Sequence, residues 1–282
     1  MPGPQAPGAS GRQRDSAVTI VVVHPDLLGT YGDGGNAVVL AQRLRWRGVA
    51  AEVIEIASDQ AVPASADLYC LGGGEDGPQT QSAAAMAAGR PLTRAMQDGA
   101  VVLAVCAGYQ VVGESFAGSD GQPRAGLGLL DVRAAKGVGL RAVGEVVCAP
   151  VPELGLPTLT GYENHGGLTT LGPSARPLAQ VRTGVGNGGG DGTEGALGAR
   201  VVGTYLHGPL LARNPALADL LLSWVVGPLD PLDDTEVMAL RTARLTAARG
   251  GRSLPRAPRG KAPLAARLFR RPGQPRAPTA SG

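Results

Sequence analysis

The sequence predicts an α/β fold, a mainly parallel sheet with appended antiparallel strands, on three observations. Short, apolar, often β-branched runs recur at residues 18–23, 50–56, 67–71, 101–105 and 200–206. Helix-length segments separate most of them, the alternation of a parallel sheet with helices on both faces. Between residues 127 and 170 this gives way to short runs divided by Gly and Pro, the pattern of antiparallel strands.

In order, residues 18–23 form the first strand and lead into HPDLLGTYGDGGN. A helix then begins near Gly34 or Gly35, carries Val38, Val39, Leu44 and Trp46 on its apolar side, and ends by Gly48. Residues 50–56 alternate as a second strand. Residues 67–71 form a third, which runs into Gly72, Gly73 and Gly74; three glycines there let backbone N–H groups approach a ligand, or simply make a flexible turn. Residues 83–97 are alanine-rich and helical, and 101–105 form the fourth strand. Residues 184–195 are glycine-dense and read as a surface loop. One more strand at 200–206 ends in His207, and helices at 215–226 and 235–248 close the folded part.

At 282 residues and 43% hydrophobic, the chain can bury one large core or two modest ones. Its three cysteines, Cys70, Cys106 and Cys148, are odd in number and widely spaced. That argues against a disulfide framework and a zinc site, so no metal is expected and a reducing cytoplasm is the expected location. The opening MPGPQAPGASGRQRDS has no apolar run, and no later run reaches bilayer length, so neither secretion nor membrane insertion is expected. Nine of the 26 basic residues and none of the 23 acidic ones lie from Arg249 onward, leaving 17 against 23, a net −6, on the remainder. Residues 1–16 and 249–282 read as disordered tails, the second basic and rich in Pro and Arg, around a domain at 17–248. An acidic body does not suit nucleic acid, so none is expected as a partner.

Cys106 follows the buried strand at 101–105 and precedes Ala107-Gly108 and a second apolar segment. A strand, sharp turn and helix expose a nucleophile at the strand's carboxyl end, beside the N–H groups of the next helix. The competing reading is a small core residue. A thiol nucleophile needs a base, and His24, His165 and His207 are the only histidines. His207 ends the last strand, so a parallel sheet brings it to the edge that carries Cys106.

VCAGYQ after an apolar strand, GGGEDGPQ upstream and YLHGPLL downstream resemble a class I glutamine amidotransferase of the cobyric-acid-synthase-like branch. HPDLLGTYGDGGNAVVLAQRLRWRG and GYENHGG make the chain similar, over about residues 17–245, to glutaminase subunits of lipid II isoglutaminyl synthases. The resemblance implies a flavodoxin-like three-layer sheet. It also implies hydrolysis of L-glutamine to glutamate and ammonia, and a heterodimer with a Mur-ligase-like (MurT-like) subunit that amidates the D-glutamate of lipid II. No nucleotide motif is present here, so ATP is assigned to that partner and no cofactor to this chain. The implied site is Cys106 and His207 as catalytic pair, Arg141 and Gln110 on substrate, and backbone N–H groups at Gly73 and Ala107 for the oxyanion. Pro209 stands where many relatives carry an acid two residues after the histidine, which leaves any third catalytic residue open, Glu163 being one candidate. The alternatives are an amidotransferase half of a cobalamin-pathway synthase and a noncatalytic scaffold of the same fold.

Overall fold

The computed structural model describes residues 16–137, 139 and 141–249. Apart from their innermost residues, the two predicted tails lie outside the described residues. From the amino end, β1 (Val18–Val23), α1 (Gly35–Arg45), β2 (Ala51–Ile56), β3 (Leu68–Leu71), α2 (Asp76–Ala87), α3 (Pro91–Gln97), β4 (Val101–Val105) and α4 (Ala107–Val112) alternate. A run of strands follows: β5 (Ser115–Ala117), β6 (Pro123–Ala125), β7 (Val132–Lys136), β8 (Ala142–Pro150), β9 (Leu159–His165) and β10 (Gly167–Leu171). It continues with β11 (Ala179–Thr183), β12 (Thr193–Glu194), β13 (Ala196–Leu197) and β14 (Val201–Thr204), after which come α5 (Leu210–Arg213), α6 (Pro215–Val226) and α7 (Thr235–Arg249).

The central sheet has the order β2-β1-β3-β4-β14-β13, with the first five strands parallel and β13 antiparallel at the edge. This is the flavodoxin-like order, in which the direction of winding reverses between β1 and β3 and places helices on both faces. β3, β4 and β14 are buried at every position, and β3 and β4 read as unbroken apolar runs, whereas the edge strand β2 has no fully buried position. Two four-stranded sheets are appended, β10-β7-β5-β6 and β12-β11-β8-β9, the latter antiparallel throughout.

Three details differ from the sequence reading. On α1 the buried face is Ala37, Leu40, Ala41 and Leu44, while Val38 and Trp46 are 61% and 62% exposed. The stretch 83–97 is two helices. Gly89 and Arg90 take φ of 67° and 47°, and Pro91 has no N–H to continue a turn, so α2 stops and α3 restarts with proline in its first turn. The glycine-dense 184–195 is a surface loop only in part: residues 184–185 and 189–192 are exposed, while Asn187 and Glu194 are fully buried. Asn187 makes that possible by accepting from Tyr109 Oη (3.2 Å) and donating to Thr193 Oγ1 and Gly195 O (both 3.0 Å).

One ion cluster ties the layers together. Arg43 of α1, 3% exposed, forks onto Asp219 of α6 (2.7 Å from Nε and from Nη2) and onto Asp234 before α7 (2.7 and 2.9 Å). Burial works against its charge, but the two carboxylates outweigh that and hold the guanidinium pKa above its usual value. Arg43→Ala removes this partner from Asp234 and leaves Asp219 with Arg47 (2.9 Å). The expected loss is about 2 kcal/mol or more, read as a lower urea midpoint at unchanged m.

Candidate active site

All the parallel strands end on one edge, and the loops after β1, β3, β4 and β14 meet there, where such sheets bind ligands. At the end of β4 the chain turns so tightly that Cys106 takes φ 53° and ψ −106°, a region that residues with a Cβ seldom occupy. Its N–H is held by Thr204 O (2.8 Å). Gly108 lets α4 lie on β3, since a Cβ there would stand 2.7 Å from Leu71 Cβ and 2.9 Å from Leu71 O. Ala107, the first helical residue, has an N–H with no intrahelical acceptor.

His207 is anchored from two sides. Its backbone pairs with Tyr162 of β9, donating to Tyr162 O (2.8 Å) and accepting from Tyr162 N–H (3.1 Å), so an appended sheet fixes its position. Its ring Nδ1 lies 2.9 Å from Asp33 Oδ2 and 3.2 Å from Oδ1, with both residues buried. Burial opposes a charged ring here, but Asp33 and the neighbouring Cys106 outweigh it and push the His207 pKa up to about 9. Nε2 is left without a formed hydrogen bond, although the Cys106 thiol is close enough to act on the ring's charge. Asp33 therefore fills the orienting place that Pro209 vacates. Pro209 instead packs on α1, its Cγ 2.6 Å from where a Gly35 Cβ would stand.

The glycine loop after β3 is held by the same carboxylate. Gly73 N–H donates to Asp33 Oδ2 (2.9 Å), and Gly73 O accepts from Thr30 N–H (3.2 Å). The predicted oxyanion donor at Gly73 is thus already engaged, and Gly73 is not among the residues that line the cavity beside Cys106. Gly74 is, together with Ala107. The Gly73 peptide points its oxygen at Thr30, so the Gly74 N–H, on the opposite side of that trans peptide, faces away from Thr30.

The cavity, about 120 Å³, is also lined by Gln79, Gln110 and Arg141. It is below the range of drug-sized sites and suits an amino acid. Gln110 is pinned at both ends: its Oε1 accepts from Gln79 Nε2 (2.8 Å) and its Nε2 donates to Tyr205 Oη (3.0 Å). Arg141 enters from the start of β8 and leans on Asn164, which accepts from Nη2 at its carbonyl (2.9 Å) and from Nε at Oδ1 (2.5 Å).

Glu163 does not reach His207. Its carboxylate accepts the N–H groups of Val185 (2.8 Å) and Gly186 (2.9 Å), because successive residues of β9 face opposite ways. His165 stacks on Tyr205 (3.7 Å between centroids), with Nδ1 3.1 Å from Gly167 O, and His24 is buried against Ser82 (2.8 Å). Asp33 is the residue that the sequence reading misses, and the signal for it is GDGG at the end of the loop that follows the first strand, where α1 begins.

Residues 19–215 match the model of the CobB/CobQ-like glutamine amidotransferase domain. The chain is 34% identical over 207 residues to the "Lipid II isoglutaminyl synthase (glutamine-hydrolyzing) subunit GatD" of Staphylococcus aureus, covering 73% of this chain and 83% of that protein. It is 32% identical over 210 residues to the Streptococcus pneumoniae protein of the same description, covering 73% and 79%. The cobyric acid synthase of Pelotomaculum thermopropionicum is 40% identical over 152 residues, but these span 48% of this chain and 27% of that protein. A solved glutamine amidotransferase shares the fold, with a TM-score of 0.52 at 19% identity over 74% of this chain and 99% of that one. The chain belongs to the CobB/CobQ-like glutamine amidotransferase family.

Proposed function

We propose that this chain is the glutaminase subunit of a lipid II isoglutaminyl synthase. The observation that carries the glutaminase chemistry is Cys106, held on a strained turn beside a His207 that Asp33 orients, in a cavity of amino-acid size. Cys106 Sγ attacks the carboxamide carbon of L-glutamine while its proton resides on His207. The N–H groups of Ala107 and Gly74 hold the oxyanion. The tetrahedral intermediate collapses with proton transfer from His207 to nitrogen, releasing ammonia and leaving a thioester. A water, deprotonated by His207, then releases glutamate. Gln110 shapes the wall, and the Arg141 guanidinium takes the α-carboxylate.

The acceptor reading rests on relatives named as lipid II isoglutaminyl synthase subunits, which this chain matches over most of their length. Ammonia then passes to a Mur-ligase-like partner that activates the D-glutamate α-carboxyl of lipid II with ATP. The complex works in the cytoplasm, at the inner face of the membrane that holds its substrate. Within this chain, no helix of the described residues is long and apolar enough to cross a membrane. The test is ammonia release from L-glutamine by the full chain, alone and with the ligase-like subunit that co-purifies from the native host. We expect a clear acceleration with that subunit. Absence of glutaminase activity in both preparations overturns the chemistry. Recovery of a corrin-amidating subunit in place of the ligase overturns the acceptor.

A further inference from the structure

Arg141 does not stand alone at the cavity. Besides the two bonds from its guanidinium to Asn164, the Asn164 side-chain amide donates from Nδ2 to Tyr31 Oη (2.9 Å). The Tyr31 ring in turn packs on His207, with centroids 4.5 Å apart and planes tilted by 51°. These contacts join three separate parts of the fold. Arg141 and Asn164 face each other near the open end of the β8–β9 hairpin, where Ala142 pairs with His165 and Val143 with Asn164. Tyr31 belongs to the loop after β1, two residues before Asp33. The hairpin also meets the segment after β14, through the pairing of Tyr162 with His207.

Asn164 uses its amide in both senses, accepting from Arg141 and donating to Tyr31, so its orientation is set by its neighbours. A long arginine side chain otherwise samples many rotamers, and fixing Nε and Nη2 leaves the Nη1 edge as the freely available part of the fork. We propose that Asn164, braced by Tyr31, is a positioning residue. It presets Arg141 for the α-carboxylate of glutamine and ties that recognition to the loop that orients His207. The proposal rests on the glutaminase reading and on Arg141 as the carboxylate anchor. It adds how a side chain on an exposed hairpin end is made specific.

The experiment measures how much L-glutamine half-protects Cys106 of the full chain from iodoacetamide, a reagent with no carboxylate. This readout needs neither turnover nor partner. Asn164→Ala is expected to raise the half-protecting concentration about tenfold, the scale for losing a hydrogen bond to a charged group. The unprotected alkylation rate should stay within about twofold, showing that Cys106 and His207 are undisturbed. Tyr31→Phe keeps the ring on His207 and removes only the hydroxyl, so a smaller rise of about threefold is expected. The deciding arm is the double variant. If Asn164 acts through Arg141, then Arg141→Ala with Asn164→Ala is no weaker than Arg141→Ala alone. Full additivity, or an unchanged Asn164→Ala beside a weakened Arg141→Ala, overturns the proposal and leaves the glutaminase reading intact. An unchanged Arg141→Ala removes the anchor and the proposal with it, and failure of glutamine to protect the wild-type chain overturns the glutaminase reading itself.

Discussion

Cys106→Ala lowers glutaminase activity by about 10⁴-fold or more, because no thioester can form and the remaining groups supply binding and oxyanion stabilisation only. Cys70→Ala and Cys148→Ala keep their activity. Both of those thiols are buried without a base. Burial, helped at Cys70 by the negative Asp33 nearby, pushes the Cys70 pKa up to about 12, and burial likewise raises that of Cys148. Neither is a nucleophile near neutrality. Steady-state ammonia release, checked against the thermal melting of each variant, separates lost chemistry from lost folding. Comparable losses in all three variants at unchanged melting would sink the assignment.

Asp33→Asn is expected to cost about 10²- to 10⁴-fold in kcat, the range for losing the group that orients a catalytic imidazole. A second signature distinguishes this from general damage. With the carboxylate gone, Cys106 alone of these two is left to set against burial, so His207 gives up its proton at lower pH. The alkaline limb of the kcat/KM profile then moves down from about 9. The linkage has a matching sign: a ring whose pKa rises from 6.5 to about 9 on folding contributes stability that is full below 6.5 and is lost as pH rises through about 9. That pH dependence of the urea midpoint should shrink in the variant. Glu163→Gln is the control, since its carboxylate holds Val185 and Gly186 and leaves His207 alone. An alkaline limb that stays in place in Asp33→Asn would show that another group orients the histidine.

Much of the fold was legible because a parallel sheet buried on both faces is written in mainly apolar runs, and β1, β3, β4 and β14 are, with Thr19, Gly203 and Thr204 as the exceptions. The strand-end positions of Cys106 and His207 followed from the same runs. What escaped was set by contacts that periodicity does not encode. The break between α2 and α3 depends on two positive φ values beside Pro91. The burial of part of 184–195 depends on one asparagine finding partners on three sides. Asp33 escaped because 174 residues separate it from His207. Its carboxylate also accepts the Gly73 N–H, which engages the donor expected there. Val38 and Trp46 were misread because hydrophobicity states what a residue can bury and leaves open where it lies.

The conformation of Cys106 has a consequence for the history of this molecule. Its positive φ costs the folded state free energy, of the order of 1–3 kcal/mol, that glycine at the same place would largely avoid. Drift under selection for folding alone would therefore run away from cysteine at this turn. A lineage that had given up chemistry and kept only the architecture could shed the side chain and become more robust. A thiol on a positive-φ turn that glycine would occupy with less strain, beside an oriented histidine, is what selection for a working nucleophile would favour.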